Sequence, residues 1–474
     1  MKKMTALLKK ITLSLTAAVL LPLFSLPLYA DFNSLGIPDS SEIRASISDS
    51  WFTKPLSELR YKNSESRRDG RGKLYQVRLE EGMDEFAVIV APRTFLNVDM
   101  VQGDKTETVR MDVYPSGAAG SWVLYRSKKD EKPVRIVFYF NQNSEVYVQF
   151  TPYGEKSLAD LVVFGSYAAR SVPLGINFSR FYTASFKDVL RWTEYSLPWK
   201  NVNVITGQYS QVFRMASEIR KRLSEIDFAE DACYNEKGEL YAISTGKPFE
   251  IRDEDSSLNI NDIIPDYGEN RLTLGSAGFV KWIVDGIVSP LTGKGTSIEK
   301  MLDESMTFDS LGKNGVLSQT YNLTFTLDWC RNLAASALSV RSSRDYDWKS
   351  GGVDVKVEPF AADMTSGTIK PSLLYTKDAG YSLSGLKSLL YVLAVREPSY
   401  FYLAAVRRQS KISPDEFVFN ECAVLFPFFD DNEKFGVFVF EKNRELTLEN
   451  FISEYEGDFV HLERVKTTDM FKPL

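Results

Sequence analysis

Six runs rich in β-branched and aromatic residues crowd the stretch from Leu74 to Gly165, and no other feature limits the fold of this chain as tightly. They are Leu74 to Leu79, Phe86 to Ala91, Ser121 to Arg126, Val134 to Phe140, Val146 to Phe150 and Leu161 to Gly165. The fourth, Val134-Arg135-Ile136-Val137-Phe138-Tyr139-Phe140, is flanked by polar turn material at 128–133 and 141–144. Such residues fit a pleated, half-buried surface, and most of the turns between the runs are short, so an antiparallel meander is expected. We predict an antiparallel β-sandwich-like or curved-sheet domain over residues 73–185.

Ahead of it, Lys2, Lys3, Lys9 and Lys10 precede an apolar stretch from Ile11 to Leu26 and the small residue Ala30. That is the pattern of a secretory signal over residues 1–30, and its apolar core is short of the roughly twenty residues of a spanning helix. Leu28 is bulkier than the residue expected three positions before a cut, which leaves an uncleaved anchor open. A lipid anchor would need a cysteine directly after the cut, and the first cysteine is Cys233. The implied location is the bacterial envelope, periplasmic or extracellular, with no membrane span once the signal is removed. Removing thirty of 474 residues leaves more than one ordinary core holds, at about 100–200 residues per domain.

Residues 31–72 are polar and interrupted, and read as a leader with one short helix. After the β-rich half, residues 186–228 read as a helical connector, whose clearest helix sets Val212, Met215, Ile219, Leu223 and Ile226 at spacings of three and four. Residues 229–474 change character. Helices are expected over Gly275 to Val288, Leu327 to Ser339 and Leu386 to Val395, the first of them buried. Strands are expected over Val353 to Val357, Tyr400 to Val406, Glu416 to Phe426, Phe435 to Phe440 and Phe459 to Val465. A buried helix followed by antiparallel strands is an α+β arrangement, so the chain as a whole reads as an α+β multidomain protein.

Several chemistries are disfavoured. A net charge of −6 offers no basic field for nucleic acid. No glycine-rich phosphate loop follows a strand, since Gly293-Lys294-Gly295-Thr296 lacks the spacing. One histidine and three scattered cysteines, Cys233, Cys330 and Cys422, do not assemble a standard zinc site and allow at most one disulfide. The carboxylates of Asp253, Glu254, Asp255, Asp262 and Asp266 lack the glycine turn and terminal glutamate of a calcium loop. No cofactor is expected.

Leu274-Gly275-Ser276-Ala277-Gly278-Phe279-Val280-Lys281-Trp282-Ile283 resembles the nucleophile helix of the NlpC-type papain-like cysteine peptidases, which cut peptide links in bacterial cell walls and read Asp-Cys-Ser-Gly-Phe-Val here. The resemblance covers at most residues 229–474 and implies a papain-like domain, a buried helix against an antiparallel sheet. It puts Ser276 in the cysteine place. On the strand-like run Phe419 to Leu425, alternation sets Asn420, Cys422 and Val424 on one face, and Asn420 falls in the histidine place. Glu441 is the best match for the third, orienting residue.

A thiol of reference pKa about 8.5 can be tuned to thiolate near neutrality, whereas a hydroxyl needs a positioned base to take its proton. Asparagine cannot be that base. The resemblance therefore implies a degenerate site. Each residue also has a plainer role: Ser276 as a helix N-cap, Asn420 as a hydrogen-bonded strand residue, and His461, the one histidine, as a partly exposed strand residue. The leading expectation is a non-catalytic envelope protein that binds peptidoglycan, a peptide or an envelope protein. The rivals are a hydrolase, amidase or esterase using Ser276, and a structural or assembly factor whose β-rich half docks onto a partner.

Overall fold

The computed structural model describes residues 36–102, 105–249, 271–305, 324–365, 368–371, 375–377, 379–410 and 417–474. These residues lie in one unit, Ser34–Leu474. The signal segment and the acidic stretch 252–266 fall outside them.

Helix α1 (Ser41–Ile47), a π-helical turn (Ser48–Phe52) and α2 (Leu56–Leu59) lead into β1 (Glu65–Arg68), β2 (Leu74–Glu81) and β3 (Glu85–Pro92). Then come β4 (Thr94–Gln102), β5 (Lys105–Val113), β6 (Trp122–Ser127), β7 (Pro133–Tyr139), β8 (Val146–Tyr153), β9 (Lys156–Val163) and β10 (Ser166–Asn177). The order β1-β2-β3-β6-β7-β8-β9-β10 is an antiparallel meander in one sheet, so the paired sheets of a sandwich are not what these strands build. Helices supply the second layer instead. Tyr75, Val77, Val88, Val90, Trp122 and Phe150 are buried on one face, where Phe181 stacks on Phe150 at 3.9 Å and Phe52 lies 4.9 Å from Trp122.

The stretch read as a leader is part of that layer. Arg44 of α1 is fully buried over Trp122 and donates to the carbonyls of Tyr182 and Ala184 at 2.8 and 2.6 Å. Polar residues on its outer side masked this docking in the sequence, because a short amphipathic helix exposes as much as it buries.

Two helices of the connector follow, α3 (Phe186–Thr193) and α4 (Ser210–Leu223), with Val212, Met215 and Ile219 of α4 buried as the spacing predicts. Ile226 has left the helix for β11 (Ile226–Phe228). That strand pairs in parallel with β15 (Leu272–Leu274), while β12 (Ala232–Tyr234), β13 (Leu240–Ala242) and β14 (Lys247–Pro248) form a small antiparallel sheet. Next are α5 (Ser276–Thr292), α6 (Ile298–Met301), α7 (Phe325–Ser342) and α8 (Trp348–Gly351). Strands β16 (Ala362–Thr365) and β17 (Thr368–Pro371) extend the first sheet beyond β10, so the two halves share a ladder. Buried bonds from Asn141 to Tyr391 (2.7 Å) and from Ser166 to Ser388 (3.0 Å) tie them further.

The last elements are β18 (Tyr375–Thr376), β19 (Gly380–Ser382), α9 (Leu386–Arg396), β20 (Tyr400–Gln409), β21 (Phe417–Phe429), β22 (Phe435–Glu441), β23 (Arg444–Leu446), α10 (Leu448–Glu454) and β24 (Phe459–Lys466). Their antiparallel sheet runs β18-β19-β24-β20-β21-β22-β23. Helices α5 and α7 cover the face that carries Cys422, and Tyr391 of α9 meets Phe429 on the other at 5.0 Å. Burial on both faces explains why most of β20 and β21 reads as nearly continuous apolar runs. The predicted strand at Val353 to Val357 reduces to one bridge, Asp354 to Glu463, beside β24.

Candidate functional site

Helix α5 starts where the resemblance places a nucleophile. Its N-cap is Gly275, in extended conformation, so Ser276 is the first helical residue and its side chain makes no cap bond. The N-cap role read for Ser276 is thus corrected: the backbone turns one residue earlier, because β12 crosses closely there. A Cβ on Gly275 would sit 2.9 Å from the Asp231 amide, and one on Gly278 would overlap the Ala232 carbonyl oxygen. The two glycines of the motif are packing requirements.

Ser276 is half-buried. Its hydroxyl donates to the Cys422 carbonyl at 3.4 Å and lies 3.6 Å from Cys422 Sγ. Asn420 does not share this position. The ladder pairs Val406 with Glu421 but Arg407 with Phe419, so Asn420 is the extra residue of a β-bulge and is exposed. A bulge inserts one residue and breaks the two-residue alternation on which the assignment stood. Glu441 is fully buried, but its carboxylate accepts from the Tyr455 hydroxyl and, at 2.9 Å, from Arg444. It fastens α10 to the end of β22. Ser276, Asn420 and Glu441 are therefore not joined by any hydrogen bond among the described residues.

A second polar group lies on the same face of the sheet. His461 is opposite Ala405, which is opposite Cys422, so one strand separates the imidazole from Cys422. The partly exposed histidine expected from sequence is wholly buried, because β24 is an inner strand roofed by α7. His461 Nδ1 is 2.6 Å from Glu463 Oε1, and Nε2 is 3.9 Å from Asp354 Oδ2. Arg331 of α7 grips Asp354 with two bonds, Nε to Oδ1 at 3.0 Å and Nη2 to Oδ2 at 2.8 Å, and Lys356 reaches Oδ2 at 3.2 Å.

The two carboxylates face each other across the Asp354–Glu463 bridge, a like-charge placement that is unfavourable without cations. Burial raises Asp354, but the Arg331 bonds, with His461 and Lys356, outweigh it and hold its carboxyl below the ordinary range. Glu463 lacks such a grip, and burial pushes it above its ordinary range against the pull of His461. His461 Nε2 and Glu463 Oε2 have no hydrogen-bond partner among the described residues. One ligand atom from each of Asp354, His461 and Glu463 falls within 4.8 Å of the others, a clustering of the kind that can hold a metal ion. Sequence reading missed it. The spacing of His461 and Glu463 on one strand face was visible, whereas Asp354 and Arg331 arrive from distant segments.

The thiols are free and buried, with burial pushing Cys233 up to about 12 and Cys330, which also bonds Cys422, well above its ordinary value. Such thiols are poor nucleophiles. A polar cleft of about 880 Å³ opens between the end of α5 and α7, with Lys294, Lys300, Asp303 and Arg344 on its walls. Another of about 570 Å³ lies between the halves, with Phe164, Phe428 and Phe438 in its lining.

Outside the helices and sheets of the body, β4 and β5 pair, among the described residues, only with each other. Leu96 faces Met111 and Val98 faces Val109, so the middle of one side of this ribbon is apolar, with Met100 opposite Glu107 beyond it. The other carries Asn97 opposite Arg110 and Asp99 opposite Thr108. Leu96, Met100 and Met111 are 53%, 55% and 49% exposed, so the apolar side is uncovered.

Residues 33–201 match a domain of unknown function, DUF8515. The matched region takes in α1, the whole meander, the ribbon and α3, and ends before α4. Ser276 and the Asp354–His461–Glu463 group lie outside it. No curated protein and no solved structure matches the chain.

Proposed function

We propose that this chain is an exported cell-envelope protein that acts by binding, and that its second half is a peptidase-like domain of papain type that has lost its chemistry. The signal-like residues 1–30 support export. Support for the domain is the order of parts: a helix led by Ser276, laid against a later antiparallel strand that meets it at Cys422. The observation that carries the non-catalytic reading is the surroundings of the Ser276 hydroxyl, whose hydrogen-bond partners are a carbonyl oxygen and a buried thiol, neither of them able to take a proton near neutral pH. The ligand in this reading is a cell-wall fragment, peptide or envelope protein.

The test uses the purified mature chain and its Ser276→Ala variant. Both should bind peptidoglycan to the same extent and release nothing from muropeptides or generic esters. Turnover that disappears with the hydroxyl would overturn the reading and establish a hydrolase.

The ribbon favours a second reading, an assembly factor that docks through its β-rich half. Nine residues per strand at about 3.4 Å make a face roughly 30 Å by 10 Å, near 300 Å² in all, with Leu96, Val98, Val109 and Met111 as its apolar middle, a patch within the size ordinary monomers carry and often use. Any flat partner laid on this face, a second copy included, would hide about 600 Å² in total, well under the roughly 1,200 Å² of a stable interface. The occupant in this reading is a different envelope protein whose contact extends beyond the ribbon. Replacing 94–113 by a short turn should abolish crosslinks to that partner and leave peptidoglycan binding intact; unchanged crosslinks sink this reading.

A further inference from the structure

We propose that Asp354, His461 and Glu463 form a binding site for one divalent first-row metal ion, of which zinc is the probe of choice. The inference starts from two atoms. His461 Nε2 and Glu463 Oε2 are each in a fully buried side chain, and neither has a partner among the described residues. A buried polar atom left unsatisfied costs about 1–3 kcal/mol, and here two lie in one cluster with a third ligand, Asp354 Oδ2, 3.9 Å from Nε2. Ligands of one ion at about 2.0–2.2 Å from it are themselves roughly 3–4 Å apart; the three groups offer ligand atoms within 4.8 Å of one another, so at least one side chain draws in when the ion binds.

The donor set is one imidazole nitrogen and two carboxylate oxygens, which suits zinc, manganese or ferrous iron rather than soft, thiolate-seeking ions. Its surroundings are built to hold such ligands. Arg331 fixes the Asp354 carboxylate with two bonds from α7, the outer support that ligating carboxylates ordinarily receive. Glu463 Oε1 touches Nδ1 at 2.6 Å, on the opposite edge of the ring from Nε2, so Glu463 turns off Nδ1 when it joins Nε2 and Asp354 Oδ2 on the ion.

Positive charge opposes the ion. Arg331 is committed to Asp354, but Lys356 reaches the same Oδ2 from a side chain that is 54% exposed, so its ammonium can swing into solvent when the ion arrives. Lys356 is thus a competitor for the site. The competing account of the cluster is a proton on His461 that closes the charge balance with no ion at all.

Because the three side chains are buried, the ion enters as the chain folds. The test therefore refolds the full mature chain with chelator or with zinc, removes excess, and measures bound metal and thermal midpoint. The expected result is one zinc per chain and a raised midpoint. His461→Gln and Glu463→Gln should each weaken zinc binding by more than the roughly 10–100-fold that losing an outer partner of a ligand costs. Lys356→Met should bind more tightly than the wild type, a gain that misfolding cannot mimic. A chain that refolds equally well in chelator and takes up no zinc overturns the proposal and leaves the proton account. So does zinc binding that is unchanged in both His461→Gln and Glu463→Gln, or weakened in Lys356→Met.

Discussion

Replacing Lys281 by Met should destabilise the second half severely. Lys281 and Asp285 lie one turn apart on α5, with side chains 1% and 3% exposed and Nζ 2.5 Å from Oδ2. Asp285 Oδ1 also accepts from the Thr296 amide at 2.7 Å and its hydroxyl at 2.8 Å. Without the ammonium, a buried carboxylate keeps two hydrogen bonds and no cation, a loss of about 3–5 kcal/mol. Taking both charges away in Lys281→Met with Asp285→Leu removes the uncompensated charge and leaves the Thr296 amide without its acceptor, about 1–3 kcal/mol. The double variant should thus be more stable than Lys281→Met alone. Urea unfolding followed by tryptophan fluorescence reads this, since Trp282 and Trp329 lie in α5 and α7. A loss under about 1 kcal/mol in Lys281→Met, or a double variant as unstable as the two single losses added, would refute the argument that pairing alone makes these charges tolerable.

Gly278→Ala drives a methyl into the Ala232 carbonyl oxygen and should cost about 1–3 kcal/mol by overpacking; an unchanged thermal midpoint counts against the close crossing of β12. Ellman's reagent should find no reactive thiol in the native chain and all three after denaturation, given that each is buried and that burial pushes Cys233 up to about 12. Burial raises the Glu421 carboxyl above its ordinary 4.5, with Lys442 opposing. The folded state then holds that proton more tightly than the unfolded one, so the contribution is complete below the ordinary glutamate range and fades as pH rises through the raised value. Glu421→Gln should flatten the fall in thermal midpoint across that window; parallel profiles for the two proteins would show the carboxyl is not responsible.

Much of the architecture was legible from residue order. Five of the six runs in the first half mark five strands closely. Leu161 to Gly165 instead straddles the end of β9 and the turn to β10. The helices α5, α7 and α9 lie within a few residues of their predicted spans. Several elements escaped, β10 and the short strands of the second half among them, and two misses are instructive. The β4–β5 ribbon has no long apolar run, because polar residues sit on both its sides, and the hairpin signal that its sequence does carry, Gly103-Asp104 between the two strands, is one that the sequence reading missed. The docking of α1 depends on Arg44, a residue whose type argues for solvent until three carbonyls and a tryptophan ring are seen to receive it.

Local sequence fixed the types of element and the helix that begins at Ser276, because helix and strand preferences act over a few neighbouring residues. It also fixed the scarcity of chemistry: with a single imidazole in the chain, few places can move a proton. Which groups meet was decided by pairing register and layer packing, which act between residues far apart. One inserted residue in β21 turned Asn420 outward and left Cys422 against the serine. The placement of β24 beneath α7 buried His461 beside two carboxylates drawn from separate segments. A register shift of a single residue reverses every side chain beyond it, and no short-range pattern announces where that shift occurs.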